Sequence, residues 1–156
     1  MSKKYELTNE TKPLEGGTVL HRIRALRDIP RFGVKAGELG GFVEGEDNLS
    51  QDGDAWVSGD AEVFGDAWVF GNAKIYGYAR VSGDAWVYGD AKVYGNAKVY
   101  GNAKVCGNAK VSGDAWVYGN AEIYGNAEIS GNADYTVIKN IWSSGMWFTY
   151  TRSNKK

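Results

Sequence analysis

The sequence predicts an all-β solenoid, and three regularities predict it. A glycine stands at every sixth residue from Gly53 to Gly131, fourteen in all. An alanine follows each glycine two residues later, and in the first thirteen units a valine or isoleucine comes two residues after the alanine. Six is a multiple of the strand period of 2 but not of the helical period of 3.6, so strands alone keep these apolar side chains on one face. Short strands that stack coil on coil are therefore expected.

Each six-residue unit is interpreted as one short strand followed by one corner. In the unit that ends at Tyr88, alternation points Ala85 and Val87 inward and Trp86 and Tyr88 outward. Gly89 then begins a corner, because glycine adopts positive φ angles at little steric cost. The inward pair combines a small and a β-branched residue throughout, which predicts a lumen of uniform width.

The run Gly-Asn-Ala-Lys-Val-Tyr at residues 95–100 resembles the hexapeptide repeat of left-handed parallel β-helices. The resemblance implies three hexads per triangular coil of about 18 residues, a left-handed sense and about five coils. The whole chain also resembles phage and prophage hexapeptide-repeat proteins of the polymer-forming or cytoskeletal-like type. The segments 21–27, 37–43 and 48–51 carry this second resemblance, which implies a phage origin and says little about activity.

Both ends depart from the strict repeat. Residues 1–52 are expected to form an N-terminal cap that merges into a degenerate first coil, with strands at 18–26 and 39–44 and with Val43 and Leu49 at the inward alanine position. Residues 53–134 form the repeat region. Residues 135–156 are expected to form a C-terminal β cap, in a complete or a shortened form, because solenoids cover their open ends.

Composition narrows the function classes. The 156 residues include 18 basic and 19 acidic side chains, and this net charge of −1 does not favour nucleic-acid or membrane binding. A single cysteine and a single histidine exclude an internal disulfide framework and a site of several imidazoles within one chain. No apolar stretch is long enough to cross a membrane as a helix. We expect a cytoplasmic protein without a cofactor.

Catalysis and metal binding are both disfavoured. Many left-handed β-helices are acyltransferases that use a histidine base, and some are zinc enzymes, but the only histidine here is His21, outside the repeat. We expect a structural or exposed role for His21 and no catalytic residue. Corner acids such as Asp66 and Asp84 would stack and could hold Ca²⁺, but turn geometry already explains them, so no metal site is predicted.

The outward side chains are the candidates for binding, because the fold does not require aromatic or basic residues there. With 18 residues per coil, Trp68 lies over Trp86 and Phe70 over Tyr88, which makes a contiguous aromatic patch. Lysines at consecutive hexads are expected to encircle the solenoid as a belt rather than to form a stripe. The candidate interface residues are Trp68, Phe70, Trp86, Tyr88, Lys92, Lys98, Lys104 and Lys110.

The leading hypothesis is a non-catalytic structural or interaction protein that presents a rigid surface for self-assembly or partner binding. A homo-oligomer is expected, and a host bacterial protein is a second partner class; nucleic acid and membranes are disfavoured. Two alternatives stay open. One is a phage-encoded inhibitor of a bacterial defence or regulatory protein, and the other is an acyltransferase-like enzyme with a site between subunits.

Overall fold

A computed structural model describes residues 3–131 and the backbone of residues 134–136. Strands dominate, and the helical elements in this part of the chain are two 3-10 turns, Pro30–Phe32 and Glu46–Asn48. The strands, in chain order, are β1 (Tyr5–Pro13), β2 (Val19–Ala25), β3 (Leu39–Val43), β4 (Trp56–Val57), β5 (Glu62–Val63), β6 (Trp68–Val69), β7 (Lys74–Ile75), β8 (Arg80–Val81), β9 (Trp86–Val87), β10 (Lys92–Val93), β11 (Lys98–Val99), β12 (Lys104–Val105), β13 (Lys110–Val111), β14 (Trp116–Tyr118), β15 (Glu122–Ile123), β16 (Glu128–Ile129) and β17 (Asp134–Thr136).

The repeat strands form three parallel sheets, and each strand pairs with the strand three places later in the chain. We call these sheets the cap face (β5, β8, β11, β14 and β17), the lysine face (β4, β7, β10, β13 and β16) and the aromatic face (β6, β9, β12 and β15). Pairs such as Lys92 with Lys110 set the register at one 18-residue coil. The predicted all-β solenoid, its three sides and its coil length are confirmed, and its left-handed sense stays a prediction.

The lumen is filled as the inward positions predict. Alanines and valines or isoleucines of the repeat are buried from Ala55 to Ile129. The corner glycines stack directly on one another along the axis. Gly89 has a φ of 68°, and a Cβ added there would lie 2.9 Å from the backbone nitrogen of Gly107, one coil further on. Each corner therefore demands a residue without a side chain, for its backbone angle and for its contact with the next coil.

The N-terminal segment closes one end of the solenoid. β1 and β2 pair antiparallel, β2 pairs antiparallel with β3, and β3 continues the cap face by pairing in parallel with β5. The strands expected at 18–26 and 39–44 are confirmed as β2 and β3, whereas β1 was not predicted.

The expected register of the first coil was wrong by two residues. Val43 pairs with Val63, and Leu49 bridges to Val69, so both occupy the valine position and not the alanine position. Each pair is separated by 20 residues, two more than in the regular coils. Two residues are one strand period, which is why both side chains still point into the lumen. Gly41 takes the alanine position, where an added Cβ would lie 2.7 Å from the Ala61 carbonyl oxygen.

The predicted C-terminal cap at 135–156 lies outside the described residues, apart from the backbone of β17. That strand pairs in parallel with β14 and places Tyr135 opposite Val117. Within residues 3–131 and 134–136, no helix is long and apolar enough to cross a membrane.

The cap hydrogen-bonds the open edge of the first regular coil. In a parallel ladder, every second carbonyl of this edge points away from the following coil and needs a donor from elsewhere. Three side chains and three backbone amides donate to seven of them: Arg27 to Gly53, Lys4 to Ala55, Asn48 to both Gly65 and Ala67, Phe42 to Ala61, Glu44 to Val63 and Ser50 to Val69. The cap thus satisfies the hydrogen-bonding groups of this edge as well as covering it.

Substituting a stacked corner glycine should cost more than substituting an open one. Gly33 has nearly the same φ as Gly89, 69° against 68°, but an added Cβ there meets nothing within 4 Å. Gly33→Ala should lower the free energy of unfolding by about 1–2 kcal/mol for the left-handed backbone alone. Gly89→Ala should lose clearly more, because the next coil must also move. Urea denaturation measures both, and equal losses would contradict steric stacking at the corner.

Lys4 should make stability depend on pH. Burial, followed by the nearby charge of Arg27, lowers the pKa of Lys4 from 10.5 to about 8. Between these values the unfolded chain binds the proton and the folded chain does not, so the unfolding free energy rises with pH. The rise should be about 2 kcal/mol between about pH 8 and pH 10.

The slope of unfolding free energy against pH is the readout for Lys4. Above about pH 10 the raised pKa of Tyr5 acts in the opposite direction, so the window ends there. Lys4→Met should flatten the slope, whereas Lys3→Met should keep it, because Lys3 is exposed and pairs with Glu46. An unchanged slope in Lys4→Met would show that another group is responsible.

Candidate interaction surfaces

Four aromatic side chains form one cluster on the aromatic face, two of them in β6 and β9 and two directly after these strands. Trp68 and Trp86 are paired in register and meet edge to face, with ring centroids 5.6 Å apart. Phe70 stacks on Tyr88 at 4.8 Å with an interplanar angle of 5°. Phe70 also contacts both tryptophans, at 3.9 Å and 5.9 Å. The predicted placement of Trp68 next to Trp86 and of Phe70 next to Tyr88 on adjacent coils is confirmed, and the use of the cluster as an interface stays a prediction.

The two tryptophans of the cluster are open to solvent. Trp68 is 37% exposed and Trp86 is 38% exposed, although both are large apolar side chains. Edge-to-face and offset-stacked contacts hold such rings in defined positions and contribute about 0.5–1.5 kcal/mol per pair. The cluster is therefore a preorganised apolar surface and not a set of independent side chains.

Polar groups continue the aromatic face beyond the cluster. The Lys104 ammonium lies 5.2 Å from the ring centroid of Trp86, and Glu122 follows Lys104 in the same column. Cys106 is partly exposed beside Tyr88. A hydrogen bond with Cys106, aided by burial, raises the pKa of Tyr88 from 10.0 to about 12.

Aromatic stacking also occurs on the other two faces, where it is less extensive. Tyr76 stacks on Tyr94 at 4.8 Å on the lysine face, and Tyr100 stacks on Tyr118 at 5.1 Å on the cap face. These rings occupy the last position of each hexad. Each hexad has two outward positions, its fourth and its sixth residue. Among the described strands, β6 and β9 are the only adjacent pair in which both positions of both hexads are aromatic. The aromatic face is distinctive for this reason.

The predicted lysine belt is distributed over all three faces. Lys92 and Lys110 lie on the lysine face, Lys98 on the cap face and Lys104 on the aromatic face. The expectation that no stripe forms was wrong for the lysine face. There Lys74, Lys92 and Lys110 stand in register on consecutive coils, because residues 18 apart share a column. The spacing of these three lysines was the signal that would have revealed the stripe.

The cations of the repeat differ in whether an acidic side chain or an aromatic ring lies against them. Burial, with the neighbouring charge of Lys92, lowers the pKa of Lys74. Within residues 3–131, Lys92 itself has neither an ion pair nor a ring contact. The other cations do: Lys74 lies over the Phe32 and Tyr76 rings, Arg80 pairs with Glu62 at 2.7 Å, Lys98 lies over Trp116, Lys104 lies over Trp86, and Lys110 is 3.8 Å from Glu128.

A loop of the N-terminal segment overhangs the lysine face. The 3-10 turn Pro30–Phe32 brings Arg31 into an ion pair with Asp90 and places Phe32 beside Lys74. A cleft of about 390 Å³ separates this loop from the lysine column. Nothing in the sequence pattern predicted this contact, because 59 residues separate Arg31 from Asp90.

The corner acids and His21 occupy structural positions. The Asn72 amide donates to the Asp90 carboxylate at 3.3 Å, and the Asn96 amide donates to Asp114 at 3.1 Å, each one coil apart. In the part of the chain that the structure describes, no group of three or more His, Cys, Asp or Glu side chains could hold a metal ion. His21 lies partly exposed in β2, opposite Thr11 and Val43.

Comparison with known proteins supports the repeat architecture. A family model described as "YdcK Beta solenoid repeat" matches residues 73–89, about one coil. The chain is a hexapeptide-repeat β-solenoid. A comparison with curated proteins gives no match.

Two lysines at equivalent hexad positions should respond oppositely to substitution. Lys92→Met removes repulsion from the in-register Lys74 and Lys110, so the free energy of unfolding should stay level or rise by up to about 1 kcal/mol. Lys98 is also in register with a cation, Arg80, but Arg80 is already paired with Glu62. Lys98→Met should therefore act mainly by removing the ammonium over Trp116 and should lower the free energy of unfolding by about 0.5–1 kcal/mol. Urea denaturation at low salt measures both, and a larger loss in Lys92→Met would contradict the repulsion.

Proposed function

We propose that this chain is a non-catalytic scaffold that associates with a second copy of itself through the aromatic face. The exposed cluster of Trp68, Phe70, Trp86 and Tyr88 is the observation that carries the proposal. The fold requires only an outward side chain at these positions, and contiguous exposed apolar patches commonly mark interaction sites. The absence of histidine from residues 53–134 supports a non-catalytic role.

The order of residues along the aromatic face suits a second copy as the partner. One column reads Trp68, Trp86, Lys104 and Glu122 on successive strands. A two-fold axis between the second and third of these places each Trp86 against the partner's Lys104, where a cation–π contact can form. It also places each Trp68 indole N–H near the carboxylate of the partner's Glu122. Such an arrangement satisfies both copies equally, as an isologous dimer requires.

The size of the face suggests a reversible association. Four coils at about 4.8 Å and six residues per side at about 3.3 Å give a footprint of about 400 Å². Stable specific interfaces bury about 800 Å² on each partner, so this dimer should depend on concentration. Aromatic residues at its centre would contribute most of the binding energy.

A dilution series tests this proposal. Light scattering after gel filtration should show the mass rising with concentration towards a dimer for the wild-type chain. Trp68→Ser combined with Trp86→Ser should leave a monomer with an unchanged β circular dichroism spectrum. Trp116→Ser is the matched control, because Trp116 is 40% exposed and lies on the cap face.

The outcomes separate the possible roles of the cluster. A control variant that dissociates as readily as the double variant would show that the aromatic face is not the interface. A wild-type chain that stays monomeric at every concentration would contradict self-association and would favour a foreign protein, such as the target of an inhibitor, as the occupant of this face.

A further inference from the structure

The cleft under the Pro30–Phe32 turn gathers cations that the aromatic face and its proposed dimer do not use. Arg31 lies on one side, and Lys92 and Lys110 lie on the other. The amides of Asn72 and Asn108 line the corner between them. A volume of about 390 Å³ is within the range of small-ligand pockets, about 300–1,000 Å³.

The acidic groups at the cleft leave part of its positive charge uncompensated. Asp90 is the one carboxylate among the lining residues, and it already accepts from Arg31 and from the Asn72 amide. Lys110 is 3.8 Å from Glu128, a loose and exposed contact. Three cations therefore face two carboxylates, Asp90 inside the cleft and Glu128 beside Lys110 outside it, and one positive charge is left over.

Lys92 lies at the centre of this excess of positive charge. Its in-register neighbours on both sides are lysines, and like charges directly opposite on adjacent strands are destabilising. One other pair of cations is in register, Arg80 with Lys98 on the cap face, but there Arg80 pairs with Glu62 and Lys98 lies over the Trp116 ring. Only on the lysine face do three cations follow one another among the described strands, and there the cleft opens beside the middle one.

We propose that this cleft binds the phosphate group of a small phosphorylated ligand. Lys92 and Lys110 would donate from adjacent coils, and Arg31 would donate from the overhanging turn, so that a tetrahedral dianion meets cations on two sides. The Asn108 amide supplies a further donor. Asp90 is a positioning residue, because its carboxylate accepts a hydrogen bond from Arg31 and holds this side chain over the cleft. Its own negative charge is compensated by Arg31 and by the Asn72 amide.

The shape of the cleft favours a phosphorylated organic molecule over bare phosphate. The cavity exceeds the volume of one phosphate group, and the Phe32 ring forms part of its wall. An organic substituent could therefore pack against this ring while the phosphate occupies the cationic side. The site is independent of the aromatic face, which lies on another sheet of the solenoid.

Titration calorimetry of the full chain at constant ionic strength tests the site, with inorganic phosphate and phenyl phosphate as probes. Both should bind, and phenyl phosphate should bind more tightly. Lys92→Met should weaken both by about tenfold or more, as expected for the loss of a charge-assisted hydrogen bond. Lys92→Arg should restore most of the affinity. Lys98→Met, which removes an equivalent lysine from the cap face, should leave binding unchanged.

Three results would overturn the proposal. The first is that the folded wild-type chain binds neither probe. The second is that Lys98→Met weakens binding as much as Lys92→Met, which would indicate general electrostatic attraction. The third is that a single-stranded oligonucleotide binds far more tightly than both probes and loses this affinity in Lys92→Met, which would assign the column to a polyanion instead of a small ligand.

Discussion

The stacking of backbone on backbone at the glycine corners is the constraint on which the rest of the molecule depends. A Cβ at Gly89 would approach the next coil to 2.9 Å, so the coils lie at a distance that no side chain at the corner permits. At that distance every second amide of the straight segments reaches a carbonyl one coil on, as in the 3.0 Å bond from Trp86 to Ala103. Corner chemistry thus sets the register of all three sheets, and the register decides which outward side chains become neighbours.

A ladder of this kind has one weakness, which is its open edge. The cap meets the edge with donors of two kinds: backbone amides of β3 and its flanking residues, and side chains such as Lys4 and Asn48. Burying the Lys4 ammonium is costly, as its lowered pKa shows, yet it satisfies the Ala55 carbonyl at 2.6 Å. An unpaired carbonyl beside this buried, apolar lumen would also be costly. The cap therefore buries an amine whose charged form is destabilised, and in return the last carbonyls of the ladder are hydrogen-bonded.

The repeat made much of this molecule predictable, since period six and alternation decide which residues point inward. Because three hexads make one coil, residues 18 apart share a column. This rule places Trp68 next to Trp86, and it could have placed Lys74, Lys92 and Lys110 in one column. It failed at Val43 and Leu49, where the coil is two residues longer and no glycine corner marks the register. It could not find Arg31 beside Asp90, because a loop outside the repeat makes that contact and its path depends on tertiary packing.

The division between inward and outward positions also explains how one scaffold can carry two unlike surfaces. Inward alanines and valines fill the lumen, and backbone hydrogen bonds join the coils along all three sheets, so the fold does not depend on any one kind of outward side chain. Outward columns are therefore free to differ from face to face. On the aromatic face the column passes from aromatic to charged residues, so its two halves can contact the opposite halves of the same column in a second copy. On the lysine face successive cations repel one another, and no rearrangement of the rigid coils relieves them. Lys74 lies over the Phe32 and Tyr76 rings and Lys110 is 3.8 Å from Glu128, whereas Lys92 between them has neither kind of contact within residues 3–131. An anion that entered the cleft at Lys92 would therefore act where the repulsion is least compensated.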